Sequence, residues 1–158
     1  MFGTRKRRAR PRPLLRRAFL LASAGALAFG RASGAEDTRP AFRLIVHPDN
    51  RSKSVSRVFA ERAFLKNVHE WQDGQAIRPV DLPADSPVRR AFSKSVLRRS
   101  VEAVKSYWQQ RIFSGRGIPP PELATDAAVV EYVLSHRGAL GYVGPDAELG
   151  RARPIAVQ

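Results

Sequence analysis

The first 35 residues set the limit on what this sequence can fold into, because they do not read as part of a folded domain. "MFGTRKRRARPRPLLRR" carries Arg5, Lys6, Arg7, Arg8, Arg10, Arg12, Arg16 and Arg17 and no acid. The apolar run "AFLLASAGALAF" and the small-residue stretch "RASGA" follow it. A basic segment, a short apolar core and small residues at a cut site make an export signal, with cleavage expected after Ala35 and Ser33 and Ala35 as the small residues. Bilayer crossing takes about 20 apolar residues, so the run is too short for a permanent anchor. Arg16, Arg17, Phe19 and Leu20 fit the twin-arginine route, with Arg31 basic near the cut. Leu15 and Leu21 replace that signal's usual Ser/Thr and Lys. The expected product is a periplasmic chain with no stable membrane insertion.

Removing the signal changes the charge argument. Of 28 Lys/Arg, nine lie in residues 1–35, which hold no Asp/Glu; residues 36–158 keep 19 bases against 14 acids, a net +5 instead of +14. The pI that suggests nucleic-acid binding is largely the export signal, so no nucleic-acid partner is expected. The absence of cysteine excludes disulfides and thiolate metal sites. His47, His69 and His136 have no metal-type spacing, and no nucleophile elbow, zinc-protease motif or P-loop occurs. No metal, cofactor or enzymatic role is therefore expected. The remaining residues suit one domain.

Periodicity within that domain alternates. "AFRLIVHP" reads as a buried strand, and "SVSRVFAERAFLKN" as an amphipathic helix capped by Ser54, with Val55, Val58, Phe59, Ala63 and Phe64 inward. After the Asp73-Gly74 turn, "AIRPVDL" gives a second strand with Ile77, Val80 and Leu82 as its apolar positions. From Ser86 a helix places Val88, Phe92, Val96 and Leu97 on one stripe. Ser100 caps a third helix with Val101, Val104, Trp108 and Phe113 inward. Thr125 caps a fourth, with Ala128, Val129, Tyr132 and Val133 as its apolar face, and Gly138 is its expected left-handed stop. "ALGYVG" and "RPIAV" complete the strands. The alternation predicts an α/β domain, a small sheet with helices on both faces.

"DSPVRRAF" is the candidate site. Ser86 suits a cap and Pro87 the first helical position. Helix starts attract anions, and Arg89 or Arg90 could grip two oxygens with one planar fork. The alternative is a plain capped helix whose arginines are solvated or paired with Asp85. "SGRG", with Arg116, offers a second anion contact or a mobile connection between helices. Trp71, Tyr107 and Trp108 are stacking platforms or core.

The order of motifs resembles the phosphate ABC transporter substrate-binding proteins. "FAERAFLKNVHEWQDGQAIRPVDLP" is similar to that family's "IF-x-G…W-x-x-G-x-x-I-x-P-V", through Phe64, Leu65, Trp71, Gly74, Ile77, Pro79 and Val80. "DSPVRRAF" stands where the family carries "SGTR…F", and "GALGYV" where it carries "GAIGYV". The resemblance spans about Phe42 to Val143. It implies a type 2 periplasmic-binding fold, in which two α/β lobes close on an oxyanion and pass it to an ABC transporter. It also implies Ser86 as hydroxyl ligand and Arg89 as guanidinium ligand, with Pro87 and Val88 replacing the family's glycine and threonine. The first lobe's phosphate loop falls near residues 47–54, where "HPDNRSKS" supplies Ser52 and Ser54 but no glycine. The expectation is a short, single-lobe, solute-binding-like module for phosphate or a similar oxyanion. The alternative is a ligand-free interaction or regulatory domain that kept the fold beside a transporter or a sensor.

Overall fold

The computed structural model describes residues 40–158. The export signal and its cut after Ala35 lie outside the described residues. At the centre of the sheet is β1 (Arg43–Val46), whose Leu44, Ile45 and Val46 are all buried, as an unbroken apolar strand requires. β4 (Ala139–Val143) and β5 (Arg153–Val157) flank it antiparallel, with Leu44 opposite both Tyr142 and Ile155. Two short parallel strands close the edges: β2 (Ser54–Val55) beside β5 and β3 (Arg78–Pro79) beside β4. The order is β2-β5-β1-β4-β3.

Neighbouring residues of β4 show that helices cover both faces. A Cβ on Gly141 would come 2.7 Å from Val129 and 3.2 Å from Val133, both on α4 (Asp126–Ser135). The next residue points the opposite way, as strand geometry demands. There Tyr142 stacks at 3.9 Å on Phe92 of α2 (Pro87–Phe92) and meets Phe64 of α1 (Arg57–Phe64) at 5.6 Å. Phe92 also lies 4.6 Å from Phe64 and 5.5 Å from Phe42, so four rings form the core of this face.

Local signals held where they could be satisfied locally. Ser86, Ser100 and Thr125 each cap a helix, accepting from the backbone N–H three residues on. The helix begun at Pro87 continues as one π-helical turn, Ser93–Leu97, which keeps Val96 and Leu97 buried. It ends at Arg98 in the left-handed region (φ 54°), and α3 (Val101–Phe113) follows. The described residues contain no helix long and apolar enough to cross a membrane.

Four local expectations need correction. Ser54 is not a cap: it pairs in β2 with Ala156, and Ser56 caps α1 instead. This shift leaves Val58 half-exposed and puts Ala60 on the buried face. Only Arg78–Pro79 of "AIRPVDL" pairs as a ladder, while Asp81 makes an isolated bridge to Glu122. Phe113 is 90% exposed: five residues beyond Trp108, it has rotated off the buried stripe. Gly138 does not stop α4 in a left-handed conformation, since α4 ends at extended His136.

Gly138 is instead a point of close approach. A Cβ there would strike the Ala76 carbonyl, while the Gly138 carbonyl accepts from Trp71 Nε1 at 3.1 Å and from Arg78 N at 2.9 Å. Because the obstacle is backbone, Gly138→Ala is expected to cost about 1–3 kcal/mol. Urea unfolding measures it, and unchanged stability would contradict the close approach.

Candidate functional site

Arg89 lies three residues before Phe92 and seven before Val96, so the helical period places it on the buried stripe. Its side chain turns inward and is 5% exposed. Nη1 forms an ion pair with Asp81 and donates to the Leu82 carbonyl at 2.8 Å. Glu122 is more distant, at 3.9 Å. Nε is buried without a partner.

Asp81 was not singled out from the sequence, although an acid inside "PVDLP" between Val80 and Leu82 was a usable signal. It is buried, and its hydrogen bonds converge on one oxygen. Oδ1 accepts from the Tyr142 hydroxyl, from Leu82 N at 3.0 Å and from Arg89. Burial pushes the Asp81 carboxyl up to about 6, against the opposing pull of Arg89, Tyr142 and the Leu82 amide. Burial and the neighbouring Asp81 charge raise the Tyr142 hydroxyl far above its ordinary value, so Tyr142 is a donor here and not an anion.

This pair lies under a cavity of about 300 Å³. Val101, Trp108, Ile112, Pro119 and Pro120 give it apolar walls, and exposed Ala84, Lys105, Gln109 and Glu122 surround the mouth. A buried donor and acceptor side by side, with apolar walls, can read the hydrogen-bond pattern of a small polar ligand.

The six residues expected at an anion site do not gather in one cavity. Ser86 is half-buried, and its hydroxyl accepts from Arg89 N at 3.3 Å as the helix cap. Arg90 points outward, donates to the Asp85 carbonyl at 2.6 Å and lines a different cavity. Ser52 and Ser54 border a third. Their loop is tied internally: Asn50 N donates to the His47 carbonyl, Ser52 N to Asn50 Oδ1, and Arg153 to the carbonyls of Asn50 and Ser52. Arg116 is exposed in the loop after α3, its carbonyl accepting from Arg111 at 2.9 Å. Among the described residues no three His, Cys, Asp or Glu are grouped to hold a metal ion.

No family model matches the sequence, and no curated protein does. Solved structures do match. An ABC-type phosphate transport receptor from Vibrio cholerae superposes with a TM-score of 0.58 at 14% identity, over 74% of this chain and 46% of that one. A putative phosphate ABC transporter substrate-binding protein with bound phosphate, from Clostridium perfringens, gives 0.57 at 16% identity, over 74% and 44%. PstS from Borrelia burgdorferi gives 0.56 at 9% identity, over 75% and 47%. The chain thus spans less than half the length of the structures it matches. Its five-stranded mixed α/β sheet has the fold of a lobe-sized part of the phosphate ABC transporter substrate-binding proteins.

Proposed function

We propose that this chain is an exported, periplasmic solute-binding-type lobe whose cavity over Asp81 and Arg89 takes phosphate or a similar protonated oxyanion. The observation that carries this reading is the buried, unpartnered Arg89 Nε–H next to the Asp81 carboxylate, two residues that line one cavity. Hydrogen phosphate offers an ionised oxygen to the guanidinium and an O–H to the carboxylate. Apolar walls keep water from competing, which strengthens both bonds. Since Asp81 already balances the Arg89 charge, selection depends on the hydrogen-bond pattern. Sulfate, lacking an O–H, meets the carboxylate with like charge. The role is binding and not catalysis, within uptake by an ABC transporter, and a second lobe would close the cavity.

One observation favours a second reading. Arg89 is already matched by Asp81 and the Leu82 carbonyl, so the fold is satisfied with the cavity empty. A ligand-free interaction or regulatory domain beside a transporter or sensor would look the same.

Calorimetric titration with phosphate separates the two. The binding reading predicts one phosphate per chain, weaker heat with sulfate, and loss of the phosphate signal in Ala84→Trp, which fills the mouth without touching the pair. Silence towards phosphate at low salt, or an unaltered signal in Ala84→Trp, leaves the ligand-free reading.

A further inference from the structure

We propose that the cavity where the π-helical turn meets α3 is a separate anion site, and that it takes a condensed phosphate. Arg90, Lys94, Arg98 and Arg99 all line this cavity of about 470 Å³, a volume ordinary for small-molecule sites. All four are exposed, and none makes an ion pair with a described residue. The acid on the same wall, Glu102, offsets one of the four charges. Bonds to its own N–H and the Ser100 hydroxyl hold its carboxyl below the usual carboxylate range, with a smaller contribution from Arg90. Four cations against one carboxylate leave this concavity with a net positive charge.

Three of the four are arginines, whose planar forks suit phosphate oxygens. Two are held in place: Arg90 by the Asp85 carbonyl and Arg99 by its position 5.5 Å from the Tyr107 ring centre. Arg98 occupies a left-handed conformation in which glycine would be at ease, so an arginine there carries a backbone cost. Several cations around a space wider than one orthophosphate fit several linked phosphates. The concave shape disfavours a flat lipid surface, which would need the cations on a protruding face. This site does not depend on the Asp81–Arg89 reading.

Titration with tripolyphosphate tests the assignment. Expected is one molecule bound per chain, weakening as salt rises, and weakening about tenfold in Arg90→Ala and in Arg98→Gly. Arg98→Gly relieves the backbone, so it keeps the fold while removing a charge. Ala84→Trp, which blocks the Arg89 cavity, leaves tripolyphosphate binding unchanged. No binding at low salt, or equal binding in wild type and both arginine variants, would overturn the proposal. So would binding to vesicles of anionic phospholipid that tripolyphosphate does not displace.

Discussion

Arg89→Ala is expected to lower the unfolding free energy by about 3–5 kcal/mol, because it leaves the Asp81 carboxylate buried without its cation. The loss should depend on pH. Asp81 titrates near 6 in the fold against 3.8 for an unperturbed carboxyl. The fold thus favours its protonated form, and that contribution is fully present below the unfolded value and is lost as pH rises through the folded one. Arg89 opposes the rise, so removing it moves the carboxyl higher still. The cost of Arg89→Ala is therefore largest at about pH 8 and shrinks as pH falls towards about 5, where the carboxyl takes up a proton. Urea unfolding at both pH values measures this, and equal losses would contradict a buried charged pair. Arg89→Met combined with Asp81→Leu removes both charges and should recover most of the stability.

Phe92→Ala is expected to cost about 3–5 kcal/mol. Phe92 is 0% exposed and touches three other rings, so its loss opens a cavity between the sheet and the helices on that face. Thermal or urea unfolding of Phe92→Ala beside Phe113→Ala makes the comparison. Phe113 is 90% exposed, and its truncation should change stability by no more than about 0.5 kcal/mol. Comparable losses in the two variants would mean that the ring cluster is not the core.

What was legible in the sequence depended on how far apart the deciding residues lie. Caps at Ser86, Ser100 and Thr125 are decided within four residues, and the apolar runs of β1 and β4 by their own composition, so all were readable. The start of α1 was misplaced because Ser54–Val55 is held by Ala156 and Val157, about a hundred residues away, and no local signal announces that pairing. Gly138 was read as a helix stop, whereas its need for no side chain comes from the Ala76 carbonyl across the fold.

The site divided in the same way. Arg89 was named, but as an anion ligand or a solvated residue and not as a buried one, although its spacing to Phe92 and Val96 was a usable signal. Its partner Asp81 went unnoticed because an acid in a strand is normally read as an edge or a turn. Tyr142, in the legible strand "ALGYV", showed its role only once the sheet brought its hydroxyl to Asp81. Either Arg89 or Arg90 could have been the anion's fork from the sequence; adjacent residues on a helix face about 100° apart, and the two line different cavities.

The central claim, that Arg89 offers its unused donors to an oxyanion, is tested most directly at the guanidinium itself. In the free protein Arg89 Nε–H is buried and has no partner. Following its NMR signal while phosphate is added should show a saturable shift to lower field, with the same midpoint as the calorimetric heat and a weaker response to sulfate at equal ionic strength. A signal that stays fixed while phosphate saturates the protein would place the anion elsewhere and contradict the account.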